Sequence, residues 1–125
     1  MRIESQHFLL TIDVLTEPGF LDEVQARGEQ LRGGLAALAA AHPVIADVRG
    51  PGLMVALEFR DPVTRAPDAE RTAAVIAHAR AHGHLLLMNA GTWGNVVRFM
   101  PPLVVSEDVM AQAVSTVAAA IVATA

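Results

Sequence analysis

The sequence predicts an α+β domain, a small and mostly antiparallel sheet of three to four strands covered by helices. Three observations predict it. Residues 20–42 carry Leu21, Val24, Gly28, Leu31, Leu35 and Leu38 at alternating three- and four-residue steps, which is one face of an α-helix. Short apolar runs at 44–59, 85–88 and 96–100 are bounded by glycine and proline, as strands are. The 125 residues make one domain's length, enough to bury a real core.

Taken in order, residues 1–16 read as an amphipathic helix with Ile3, Phe8, Ile12 and Leu15 near helical spacing and no N-cap before it. Pro18 and Gly19 in "TEPGF" break that pattern. The second helix, 20–42, ends where Pro43 disfavours helical geometry at His42. Gly28 lies on its apolar stripe at a cost of up to about 1 kcal/mol relative to alanine, so a neighbouring element is expected to approach closely there. "VIADVRGPGLMVALEF" (44–59) reads as a short strand, a turn at Gly50-Pro51-Gly52 and a longer strand over 53–59. A polar loop follows. Residues 68–82 form a helix with Asp68 as N-cap and Gly83 as the left-handed residue that ends it. "LLLM" (85–88) is a strand, "NAGTWGN" (89–95) a loop, and "VVRFM" (96–100) a strand closed by Pro101-Pro102. Ser106 caps the last helix, Glu107 and Asp108 suit its positive end, and Met110, Ala113, Val114, Val117, Ala120 and Ile121 form its apolar stripe. No repeat and no long linker divides the chain.

Composition excludes several function classes. The net charge is −4, there is no basic run, and aromatic residues number one Trp and four Phe, so neither a nucleic-acid groove nor its stacking platforms are present. No run approaches the roughly 20 apolar residues of a membrane span, and the N-terminal residues lack a signal-peptide pattern. With no cysteine, disulfides and thiolate metal sites are excluded, and a cytoplasmic location is expected. Hydrophobic residues reach 53% and mean hydropathy is +0.41, high for a small soluble monomer, so apolar surface is expected to meet a partner chain or a further domain. All nine basic residues are arginine. Chemistry that needs a side-chain amine, such as a Schiff base, cannot be completed by this chain, and no catalytic residue is assigned within it.

Few side chains invite a chemical role. His78 and His82 stand one helical turn apart with His84 nearby, but the run "HARAH" lacks the glutamate of a hydrolytic zinc helix. Histidines at a helix C-terminus, where positive charge is favoured, account for them, and no metal is expected. The glycines of "RGPG" and "GTWGN" are turn glycines rather than phosphate cradles, since neither loop opens a helix or precedes a lysine. Asp47 and Glu58 fit strand-edge positions. Arg98 is the exception. Strict alternation puts Val97 and Phe99 on one face, and Val96, Arg98 and Met100 on the other. Either that second face is open to solvent, or Arg98 pairs with a carboxylate such as Asp47 or Glu58, or its planar fork is aimed at a ligand carboxylate. The pattern alone leaves these open.

"ADVRGPGLMVALEF" and "HLLLMNAGTWGNVVRFMPPLVVSEDV", preceded by the helix "FLDEVQARGEQLRGGLAALAAAHPVI", resemble the C-terminal domain of class III aminotransferases, which are fold-type I pyridoxal-phosphate (PLP) enzymes. The 4-aminobutyrate aminotransferase group is the most similar, and the likeness runs through nearly all 125 residues. Ornithine- and acetylornithine-type members share the strand and the double proline. Trp93 stands where tyrosine is common, and "MNA" precedes a glycine where small residues or cysteine are usual.

The resemblance implies the small C-terminal domain of such an enzyme over residues 1–125, with 1–16 the truncated end of a helix leading in from a large domain. That large domain would supply the Schiff-base lysine, the phosphate-binding loop and the aspartate at the pyridine nitrogen. It implies PLP in the intact enzyme and none on this chain. It also implies a homodimer, and an amino group moved from an ω-amino acid such as 4-aminobutyrate to a 2-oxo acid. Arg98 matches the family arginine that binds the substrate carboxylate, and Gly91, Thr92, Trp93, Gly94 and Asn95 would form a wall of that site. The other readings are a stand-alone ligand-binding or dimerisation module with the same fold and, more distantly, a regulator built on the histidines.

Overall fold

Helix α1 spans Arg2–Leu15, and the break at Pro18-Gly19 turns the chain into α2, Phe20–Ala41. Strand β1 (Ile45–Arg49) and strand β2 (Val55–Phe59) follow, then α3 (Ala69–Gly83), β3 (Met88–Ala90), β4 (Val96–Phe99) and α4 (Glu107–Ala123). This computed structural model describes residues 2–125; Met1 and the side chains of Arg2 and Ile3 lie outside the described residues, so the place of Ile3 on the first helix's apolar face is not among the observations. The α+β class holds: four helices and one four-stranded sheet, every pairing antiparallel, in the order β1-β2-β4-β3.

Burial follows the strand period. In β2, Val55, Leu57 and Phe59 are buried while Ala56 and Glu58 are only partly so. Val97 and Phe99 of β4 join them in a core closed by Leu31 and Leu35 of α2, Val75 and Ala79 of α3, and Met110, Val117 and Ile121 of α4. Helices α2 and α3 lie against the strands, and α4 packs on α2 and α3. The other face of the sheet therefore has no helix over it. Pro43 leaves His42 extended at the end of α2, as the sequence predicts. Asp68 accepts a hydrogen bond from the Arg71 backbone N–H, and Ser106 accepts one from that of Val109, so both expected caps form.

Several boundaries differ from the sequence reading. Residues 85–87 run outside the ladder, and β3 begins only at Met88, because pairing with β4 starts at the Met88–Arg98 pair. Leu53 and Met54 belong to the turn, since the Met54 N–H donates to the Pro51 carbonyl, and β2 starts at Val55. Met100 falls just beyond β4. The left-handed residue that ends α3 is His84 (φ 51°), not Gly83. Gly83 is the last helical residue and lies where any Cβ would strike the Thr116 side chain of α4. Leu21 is 59% exposed despite its place on the α2 stripe, and α1 touches α2 alone, leaving Phe8, Leu9 and Leu10 at least 60% exposed.

The close approach expected at Gly28 is present. A Cβ there would collide with the Gly52 carbonyl in the β1–β2 turn, and Arg32, one turn on, donates from Nη1 to that same oxygen at 2.8 Å. Helix α2 is thereby clamped to the hairpin. Gly28→Ala gains helix propensity of about 1 kcal/mol but forces backbone against backbone, a change that costs about 1–3 kcal/mol. Urea denaturation should show net destabilisation; an unchanged or raised midpoint would mean the turn yields freely.

Candidate functional site

The uncovered face of the sheet carries the charges. Register places Arg49, Ala56, Arg98 and Met88 in one row across β1, β2, β4 and β3, and Asp47, Glu58, Val96 and Ala90 in the next. Arg49 Nη1 donates to Asp47 Oδ2 and to Glu58 Oε2, each at 2.7 Å. Arg60 Nε takes the other Glu58 oxygen, while Arg60 Nη1 donates to the Arg65 carbonyl at 2.8 Å. The Glu58 side chain is 13% exposed. Burial pushes its carboxyl up, but the hydrogen bonds and charges of Arg49 and Arg60 outweigh that and hold it below the ordinary glutamate range. Asp47 and Glu58 in turn raise the Arg49 guanidinium above its usual value.

Arg98 stands apart from this network. It pairs with neither Asp47 nor Glu58, which overturns one of the alternatives open to it from sequence: both carboxylates are already held by Arg49 and Arg60. Its polar contact is Nη2 to the Met88 sulfur at 3.5 Å, and a thioether is a weak acceptor. Its Nε is buried and has no hydrogen-bond partner. A buried guanidinium nitrogen left unpaired costs free energy, and the group best matched to its fork is a carboxylate presented edge-on. Arg98 is also the one charged residue among those lining a hollow of about 490 Å³, otherwise formed by apolar residues such as Leu87, Met88, Phe99, Pro102 and Met110.

The loop 91–95 joins β3 to β4 at the end of the hairpin nearest Val96, two residues from Arg98, or about 7 Å along the strand. Gly91 (φ 83°) is left-handed, and its missing Cβ leaves room for the Val96 side chain. Gly94 (φ 64°) carries the chain back, its carbonyl accepting from Asn89 Nδ2 at 2.8 Å. Thr92 is exposed and Trp93 is 66% exposed at the loop tip. Asn95 is buried and faces β2, where its Nδ2 donates to the Phe59 carbonyl at 2.9 Å and its own carbonyl accepts from the Phe59 N–H. Asn95 thus fastens the loop to the sheet. On α3, His78 and His82 stack with ring centroids 4.2 Å apart, and among the described residues no three metal-ligating side chains come together.

The sequence reading missed the network. Its signal is there in "ADVRG" and "LEFR", each an acid followed two residues later by an arginine. On paired strands that spacing puts four charges on one face.

The network makes acid stability a test. Glu58 has a folded pKa below its ordinary value of 4.5, so its contribution is complete above that value and is lost as the pH falls through the lower, folded one. Asp61, lowered by the backbone N–H groups of Thr64 and Val63, acts in the same direction. Melting temperature should fall as pH is lowered from about 5 to 3, and Glu58→Gln should flatten but not abolish that slope. An unchanged slope would show that the network adds nothing to stability.

Comparison with known proteins shows the family. The profile of the family "Aminotransferase class-III" matches residues 4–121. The 5-aminovalerate aminotransferase DavT of Pseudomonas putida is 41% identical over 102 residues, which are 82% of this chain and 24% of that protein. The 4-aminobutyrate aminotransferase GabT of Escherichia coli is 39% identical over 100 residues, 79% of this chain and 23% of that one. Among solved structures, an amine transaminase from an uncultivated Pseudomonas species in a PLP-bound form superposes with a TM-score of 0.80 at 29% identity, covering 94% of this chain and 26% of that chain. The chain spans about a quarter of the length of the curated relatives it matches. The family model over residues 4–121 and the identity to these relatives show that the chain belongs to the class III aminotransferase family.

Proposed function

We propose that this chain is the small C-terminal domain of a longer PLP-dependent aminotransferase, and that Arg98 holds the carboxylate of the amino-acid substrate. One observation carries the reading: Arg98 is a half-buried guanidinium with an unpartnered Nε, on a sheet face whose carboxylates Asp47 and Glu58 are already paired. A bidentate ion pair there contributes about 1.5–3 kcal/mol and fixes the substrate's orientation. Held at one end by its carboxylate, an ω-amino acid such as 4-aminobutyrate presents its amine several bonds away. The relatives named for 4-aminobutyrate and 5-aminovalerate support that substrate class. The acceptor in this reading is a 2-oxo acid.

PLP, when bound to the longer polypeptide, supplies the electron sink for the transfer. This chain has no lysine with which to hold it covalently, so its own residues fit substrate binding and not cofactor attachment. Loop residues Gly91–Asn95 would border the approach to Arg98, with exposed Trp93 at the tip. Apolar surface on α1 and around the hollow would be covered by the large domain, or by a second subunit in a homodimer.

Two measurements test the reading. In the longer enzyme, Arg98→Ala should raise the amino-acid KM and lower kcat/KM by about tenfold or more while PLP absorbance is kept. Unchanged kinetics would leave Arg98 without this role. The 125-residue chain by itself, mixed with PLP, should show no transaminase turnover and no borohydride-stable adduct on a side chain; an adduct mapped to a side chain by peptide mass analysis would contradict this.

A further inference from the structure

The stacked histidines of α3 lie on the helical side of the sheet, opposite the row of Arg49 and Arg98. His78 and His82 stand four residues apart, the spacing that sets two imidazoles on one helix face. Their ring centroids are 4.2 Å apart and the planes are inclined by 23°. Both border a hollow of about 220 Å³ between α3 and α4, completed by Gly83, Ser115, Thr116 and Ala119. His78 is half-buried and His82 exposed, so water and ions reach the pair.

The hydrogen bonding of His82 fixes which of its nitrogens is available. Its Nδ1 lies 3.3 Å from the His78 carbonyl oxygen, and a carbonyl can only accept, so Nδ1 carries the hydrogen. The lone pair of the unprotonated ring is then at Nε2. Metal-bound imidazoles are oriented in this way, with the second ring nitrogen donating to a backbone carbonyl or a carboxylate. His78 has a two-fold χ2 torsion, which can bring a nitrogen to the same side. Two nitrogens held tetrahedrally on one zinc ion, each at about 2.0–2.1 Å, stand about 3.3 Å apart. A small tilt of the stacked rings supplies that closure.

The surroundings favour a cation. Carbonyls at the C-terminal end of α3 bring partial negative charge, and the α4 residues across the hollow are uncharged. Arg80, two residues from each histidine, projects from a different face of the helix. Among the described residues no third metal-ligating side chain joins the pair. The hydroxyls of Ser115 and Thr116 line the hollow and can accept hydrogen bonds from metal-bound water.

We propose that His78 and His82 form a two-imidazole site for a late divalent transition-metal ion, Cu(II), Ni(II) or Zn(II), with water in its remaining positions. Imidazole suits these metals, and Cu(II) should bind tightest. With no glutamate beside His78, the site lacks the base of a hydrolytic zinc helix and acts as a clip over the last turn of α3. That turn is the one Gly83 docks against Thr116 of α4. Arg98 takes no part, so the site stands or falls independently of the substrate reading.

Calorimetric titration of the 125-residue chain with Zn(II) or Cu(II), in a buffer that binds neither, should show one ion per chain. Either His78→Ala or His82→Ala should weaken binding by about tenfold or more, because the second ligand no longer acts intramolecularly. The variant His7→Ala/His42→Ala/His84→Ala, which removes the other three histidines, should bind as the parent chain does. A saturating ion should raise the melting temperature of the parent by a few degrees and leave both single variants unmoved. In the unsubstituted chain, Zn(II) should shift the ¹⁵N resonance of His82 Nε2 and one ring nitrogen of His78, and His82 Nδ1 should stay protonated. That readout does not depend on any variant folding. No saturable binding, undiminished binding in either single variant, loss of binding in the triple variant, or zinc on His82 Nδ1 overturns the proposal.

Discussion

The register of β2 between β1 and β4 is the constraint on which the rest of this structure depends. Side chains alternate with a period of two, so one register sends Val55, Leu57 and Phe59 into the core and Ala56 and Glu58 to the other face. A slip of one residue would bury Glu58 and expose Phe59. The same register sets Asp47 beside Glu58 and Arg49 and Arg98 on either side of Ala56. Core and charge pattern are thus one specification read on two faces. The clamp of Gly28 and Arg32 on the β1–β2 turn holds that hairpin from the helix side, and Asn95 holds the β2–β4 edge.

Within this frame the arginines divide by environment. Arg49 and Arg60 have carboxylates within hydrogen-bond reach. Arg98, two strands away from Arg49 in the same row, has a thioether contact and an Nε–H donor without an acceptor. Nothing in the fold repays the desolvation of that nitrogen. A charge kept at a cost to stability fits the carboxylate-binding role proposed for Arg98, because a planar guanidinium fork matches that group.

How far the sequence discloses all this depends on whether a signal is local. The stripe of α2, the Asp68 and Ser106 caps and the stop at Pro43 are written in neighbouring residues, and they are found as read except at Leu21, which is exposed. The start of β3 is not, because "LLLM" is apolar throughout and only its partner strand decides which residues join the ladder. Gly83 reads as a helix terminator by type, yet its place is set by Thr116 on a helix 33 residues later. Arg98 could be singled out as anomalous from "VVRFM" alone. Whether it met Asp47 or Glu58 could not, since that turns on which arginine reaches them first.

The apolar excess of the composition also has a location. It lies on α1, whose Phe8, Leu9 and Leu10 face outward, and around the hollow that Arg98 borders, where Leu86, Met88 and Met100 are each more than half exposed. Water at such a surface is displaced at a gain of roughly 25 cal/mol per Å² when a partner covers it. Covering the hollow would do a second thing: it would lower the dielectric around Arg98 and strengthen its attraction for a carboxylate. Docking and substrate recognition would then be coupled through one patch. The domain or second subunit proposed above would, by covering this side, act on the apolar surface and on Arg98 together.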